Sequence, residues 1–194
     1  MRPGRRRRLL ACVTFLLAAY ALLGAGCGST ADDKGGSMFA ISSPAFEAGG
    51  LIPAEHATTA VPGGANTSIP YEWRNAPQGT KSYALVLIDR APVARNWVHW
   101  IVHDIPASAS SVAAGASPSG LPQGAKELAN TFGRPGYGGP QPPPGTGKHP
   151  YEATAYALDV ESLSLAPSAT LQDLEKAMEG HVLGTASVTG NFGR

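Results

Sequence analysis

The strongest constraint on this chain is its punctuation: apolar runs of eight to ten residues, each bounded by glycine, proline or other turn formers. Residues 82–89, SYALVLID, form the most apolar run and read as a buried central strand. Residues 96–105, NWVHWIVHDI, read as a second strand. Shorter candidates lie at 39–41 and 68–73, an alternating one at 151–158, and a last one at 182–188. With 24 Gly, 17 Pro, 15% charged and 43% hydrophobic residues, the composition fits a loop-rich β protein with a sizeable core, not a helical bundle. The 194 residues suit one domain plus a leader. The expected fold class is all-β, a sandwich or barrel.

One peripheral helix is predicted near residues 171–180. Ser168 or Thr170 can cap it, and Thr170 to Asp173 resembles a capping box. Leu171, Leu174 and Met178 share one face, and Gly180 suits a terminator. A second short helix is predicted near residues 124–128.

The first 26 residues read as an export leader. Arg5, Arg6, Arg7 and Arg8 precede an uncharged apolar stretch over residues 9–23, the length of a signal-peptide core and short for a membrane span. The stretch ends Leu23-Gly24-Ala25-Gly26-Cys27, which resembles a bacterial lipobox and implies a lipid on Cys27. Residues 27–37 then form a flexible tether of small polar residues. The domain covers residues 38–194, faces outside the cytoplasm and hangs from the cell membrane. Removing the leader takes away five of the 15 basic residues, leaving ten against 14 acidic ones, a net charge near −4. No basic patch remains for nucleic acid. Cys12 and Cys27 are the only cysteines, so the domain carries no disulfide and depends on its core.

Two features carry candidate chemistry. On a regular strand Trp97, His99, Ile101 and His103 share one face, which embeds His99 in apolar surroundings. His99 and His103 lie ~13 Å apart on such a strand, too far for one ion unless the strand bulges. The segment 133–149, GRPGYGGPQPPPGTGKH, is too rich in Pro and Gly to pair in a ladder and reads as an ordered loop lining a site. His149 closes it, and Tyr151 follows on the same face. A His, a Tyr and closely approachable glycine amides make an anion receptor. Phosphate-loop, nucleophile-elbow and thiol signatures all fail. His149 stands where a phosphate loop needs Ser or Thr, and no G-x-S-x-G occurs.

The order and spacing of several short motifs resemble the phosphatidylethanolamine-binding protein family, in its bacterial Raf-kinase-inhibitor-like branch. They are Tyr71 to Pro77 with Lys81 to Leu85, Asp89-Arg90-Ala91-Pro92 with Trp97-Val98-His99-Trp100, Tyr137 to His149, Tyr156 to Asp159, and Gly180 to Gly184. The resemblance implies a Greek-key β-sandwich with one or two short peripheral helices and a small anion pocket at one end. Carried over by position, that pocket takes Trp97, His99, Gly139, Pro143, His149 and Tyr151. The family's signature D-P-D-x-P aligns without gaps on Ile88 to Pro92, so both acids are missing. Asp89, one place off, supplies the carboxylate only if a bulge turns it inward. The family's Arg between His and Tyr is Pro150 here. The joint loss at 90 and 150 implies a charge pair in relatives, and leaves Arg90 to solvent or to a new acid such as Glu152.

The functional expectation is a non-catalytic binding protein for a small anionic or phosphorylated head group, without metal or cofactor. Two alternatives follow from the same residues: an inhibitor of a protease or kinase that uses the pocket rim, and a weak hydrolase with His99 or His149 as base. The resemblance also implies a homodimer.

Overall fold

A computed structural model describes residues 38–194. The leader, Cys27 and the tether lie outside the described residues. Strands β1 (Ala40–Ser42), β2 (Tyr71–Arg74) and β5 (Ser111–Val112) form a small antiparallel sheet in the order β1-β2-β5. Strands β3 (Ser82–Asp89), β4 (Trp97–Pro106), β6 (Lys126–Glu127), β7 (His149–Leu158) and β8 (Val182–Phe192) form a larger one in the order β6-β4-β3-β7-β8. The predicted strands are all present. β7 starts two residues earlier than predicted, at His149, and β8 runs four residues further, to Phe192.

Every residue of β3 is buried because both faces of the large sheet are covered. Tyr83, Leu85 and Leu87 point into a core shared with Ile41, Tyr71, Trp73 and Val112 of the small sheet. Ala84, Val86 and Ile88 point the other way, onto Leu174 and Met178 of helix α1 (Leu171–Met178). The molecule is therefore a β-sandwich with a helix on the outer face of its larger sheet.

Helix α1 starts as its sequence predicts. Thr170 Oγ1 accepts from the Asp173 amide at 3.3 Å, and the Asp173 carboxylate accepts from the Thr170 amide at 2.8 Å. Gly180 follows with φ of +79°, a conformation glycine adopts without a Cβ penalty. The second predicted helix is not formed. Lys126 and Glu127 instead pair with His103 and Val102 as β6, and the sheet's ladder outweighs a helical turn that lacks a cap.

β4 departs from regular alternation twice. Against β3, Leu87 pairs with Trp100 but Ile88 pairs with Val98, so His99 is an extra residue in the ladder. A second shift brackets His103 and Asp104, with Asp104 at φ of +54°. As a result Trp100 and Val102 face the inter-sheet core while Ile101 faces the helix. The expected shared face of Trp97, His99, Ile101 and His103 is broken between His99 and Ile101. His103 turns instead toward Asp104, with Nδ1 and Oδ1 2.9 Å apart. Among the described residues no three His, Asp or Glu side chains gather as a metal-holding group.

Candidate functional site

Three strand ends meet at one end of the sandwich. β3 finishes with Asp89, β4 opens with Trp97 and His99, and β7 opens with His149 and Tyr151. Between them lies an open cavity of about 310 Å³. Val93 and Ala94 from a 3-10 turn, Phe132, and Gln141 to Pro143 of the Gly/Pro loop complete its walls. Of the residues singled out in the sequence, Asp89, Trp97, His99, Pro143, His149 and Tyr151 come together here. Val93, Ala94, Phe132, Gln141 and Pro142 had not been singled out. Gln141 and Pro142 lie inside the motif that was read, whereas the other three carry no polar signal.

Asp89 reaches the cavity without a bulge in its own strand. The β3–β7 ladder is regular throughout and sets Asp89 opposite Tyr151. Residue 89 thus lies on the same sheet face as Tyr151 and Leu87. Its Oδ1 accepts from the Ala91 amide at 2.9 Å, and Oδ2 lies 2.6 Å from His149 Nδ1. The bulge sits across the ladder, at His99.

The neighbouring position behaves as the charge argument anticipated. The Arg90 amide donates to the Pro150 carbonyl at 2.8 Å, so positions 90 and 150 are adjacent. The Arg90 guanidinium pairs with Glu152 at 2.8 Å and also reaches Asn96. Arg90 is exposed and Glu152 half-buried, and pairs so open to solvent contribute ~0–1 kcal/mol.

The two histidines differ in what they leave free. His149 is fully engaged. Thr146 spends its only hydroxyl proton on the Pro143 carbonyl at 2.7 Å, so at 2.9 Å His149 Nε2 is the donor to Thr146 Oγ1. The 2.6 Å contact of Nδ1 with Asp89 then holds one proton between imidazole and carboxylate. His149 therefore has no spare N–H for a ligand, contrary to the donor role expected of it. His99 uses one nitrogen. Its Nδ1 donates to the Gly138 carbonyl at 2.6 Å, while the Gly138 amide donates back to the His99 carbonyl at 2.9 Å. Burial holds the His99 imidazole below its ordinary range. The Gly138 carbonyl, the Asp89 carboxylate and the Gly139 backbone oppose this shift.

Tyr151 is buried, and its hydroxyl lies near the Asp89 carboxylate and the Gln141 backbone, in loose hydrogen-bond geometry with both. Burial first, then the Asp89 charge, push its pKa far up, so the phenol keeps its proton as a donor. The His99 ring packs edge-on to Tyr151 at 5.1 Å and to Phe132 at 5.6 Å, and Phe132 meets Trp97 at 5.3 Å.

Gly139 is not a wall of the cavity, contrary to expectation. A Cβ there would lie 2.2 Å from the His56 carbonyl oxygen, so only glycine lets these two backbone segments touch. Its amide is already bonded to Asn66 at 2.8 Å, as that of Gly138 is to His99. Neither glycine amide is free to receive an anion.

The family model "Phosphatidylethanolamine-binding protein" matches residues 42–193. The chain belongs to the phosphatidylethanolamine-binding protein family. A UPF0098 protein of Aquifex aeolicus is 36% identical over 82% of this chain and 91% of its own length. A Mycobacterium tuberculosis relative named as lipoprotein LppC is 38% identical over 78% of this chain and 71% of its own. The crystal structure of Escherichia coli YbcL, described as a member of the mammalian PEBP family, superposes with a TM-score of 0.75 at 29% identity. It covers 80% of this chain and 98% of YbcL. The family's fold is thus the one found here, and its bacterial branch is the one that the motifs resembled.

Proposed function

We propose that this member of the family is an exported, membrane-tethered binding protein whose cavity takes a small anionic or phosphorylated head group without transforming it. One observation carries the reading: the open cavity at the strand ends is lined by side chains able to hydrogen-bond an oxyanion, among them Tyr151, Trp97 and Gln141, beside His99. Aromatic and proline walls give the site the mostly apolar lining usual for small-molecule pockets.

The non-catalytic part rests on the histidines. His149 has both nitrogens engaged. No Ser or Cys stands among the lining residues, and Thr146, which touches His149, is held by Pro143. The tether rests on the lipobox at Cys27 and on the LppC name. Among the described residues no helix is long and apolar enough to cross a membrane.

The inhibitor reading keeps one observation in its favour. The pocket rim exposes Val93, Trp97 and Phe132 at 57%, 36% and 37%, an apolar edge suited to protein contact.

Titration with inorganic phosphate, followed by the His99 and His149 ring signals in NMR, tests the reading. Saturable shifts are expected in the wild type, and a folded His99→Ala/His149→Ala double variant, followed by calorimetry because it lacks both rings, should bind no phosphate. Unchanged binding in that variant would overturn the pocket assignment. An ester screen in which the wild type outpaced the variant would overturn the non-catalytic role. Mass spectrometry of the mature N-terminus should find a lipid on Cys27.

A further inference from the structure

We infer that the end of the sandwich opposite the cavity is a seat for the membrane: Met38, Val182 and Leu183 rest on the lipid surface that anchors Cys27, and the cavity opens away from it. This rests on the tethered reading above and orients the domain within it.

The chain enters the domain far from the cavity. Met38 offers its carbonyl to the Asn75 side chain at 3.3 Å, and Phe39 stacks on Tyr83 with ring centres 6.2 Å apart. Tyr83 stands near the start of β3, whose last residue, Asp89, lines the cavity. The ladders keep the two ends apart. Ser82 pairs with Leu158, and Leu158 with Val182, whereas Asp89 pairs with Tyr151 and Trp97. At ~3.3 Å per residue, Ser82 and Asp89 lie ~23 Å apart.

Three large exposed apolar side chains gather at this entry end. Met38 is 85% exposed, and Val182 and Leu183 41% each. Small apolar residues join them into one patch. A Cβ on Gly79 would stand 3.8 Å from Leu183 Cδ1, and one on Gly184 would stand 2.8 Å from Pro77 Cγ and 3.9 Å from Phe39 Cδ1. The surrounding charges are of both signs. Arg74 lies opposite Ala40 and Lys81 beside Leu158, while Asp159 and Glu179 flank His181. Apolar contact, not net charge, is therefore what this end offers a surface.

The position of the tether decides what the patch meets. The tether read from the sequence, residues 27–37, is eleven residues long. A Gly/Ser-type chain of that length spans ~17–20 Å on average and ~36–40 Å when fully drawn out. The average span is shorter than the ~23 Å from this end to the cavity. A lipid on Cys27 thus keeps the bilayer beside the Met38 end, at an effective concentration on the order of mM, where a weak three-residue contact suffices. The other exposed apolar set, Val93, Trp97 and Phe132 at the cavity rim, meets the same bilayer only with the tether drawn out along the domain. The cavity then opens out of reach of that leaflet's own lipids.

Tryptophan emission reads which end lies on the bilayer. The lipidated protein is inserted in phosphatidylcholine vesicles with or without bromine on the acyl chains, which quenches only nearby tryptophan. Leu183→Trp should add emission that the brominated lipid removes, and Val182→Trp, at the neighbouring exposed position, should do the same. Trp97 marks the opposite end, since Trp73 and Trp100 are buried. Wild-type quenching should be slight and unchanged by Trp97→Phe. Added tryptophans that stay unquenched in a protein whose Cys27 carries lipid overturn the seat and leave the tether standing. Strong wild-type quenching that Trp97→Phe abolishes makes the cavity rim the membrane-facing end, and the inference falls. A mature protein without lipid on Cys27, seen by mass spectrometry, overturns the tethered reading and the seat with it.

Discussion

At the scale of single residues, the site depends on where the backbone allows side chains to stand. Gly139 is the sharpest case. The His56 carbonyl oxygen would be 2.2 Å from its Cβ, and the Ala57 and Thr58 backbone would be within 2.8 Å. Backbone cannot rotate away as a flexible side chain can. Gly139→Ala is expected to destabilise the fold by about 1–3 kcal/mol in urea unfolding and to weaken phosphate binding through the neighbouring Gly138–His99 bond. Sequence reading found this glycine but gave it the wrong task, because a need for close approach looks the same whether the neighbour is a ligand or another strand of chain. It found Asp89 too. It misjudged which way that side chain faces, because the frame of β3 is set by its register with β7 and not by its own pattern.

At the scale of elements, the apolar runs were legible because period and composition agree, and α1 because its cap is chemical. β5 and β6 were not, since two residues carry no period. The two irregularities in β4 were equally hidden, because His99-Trp100 and His103-Asp104 keep the composition of a regular strand. The second irregularity has its own chemistry. Asp104 is buried, which raises its carboxyl pKa. The Leu163 amide, the Ser162 hydroxyl, His103 and Lys126 together outweigh burial and bring it to about 2. A carboxyl depressed on folding contributes stability that is present above its unfolded pKa of 3.8 and is lost as pH falls toward about 2. Asp104→Asn should therefore cost about 1–3 kcal/mol near pH 7 and flatten the loss of stability between about pH 4 and 2, read from thermal unfolding across that range.

For the whole molecule, the large sheet separates two tasks. One face builds the inter-sheet core that ends in the cavity, and the other carries α1 through Leu174 and Met178. Leu174 is completely buried, so Leu174→Ala should cost about 2–5 kcal/mol in urea unfolding. Phosphate affinity should stay within about twofold of wild type, since the lost contacts lie across the sheet from the site. A larger loss of affinity would mean that the two faces are coupled.

The central place of β3 also fixes the order of events as the chain folds. Its hairpin with β4 closes early, but its other neighbour, β7, arrives only after a 60-residue excursion that separates Asp89 from His149. Loop-closure entropy delays such a non-local ladder, and β-rich domains of this kind reach the native state in about milliseconds to seconds. The cavity draws walls from both sides of that late seam. A chain in which that seam has not closed therefore lacks one wall of the cavity, since Asp89 and His149 stand on opposite sides of it.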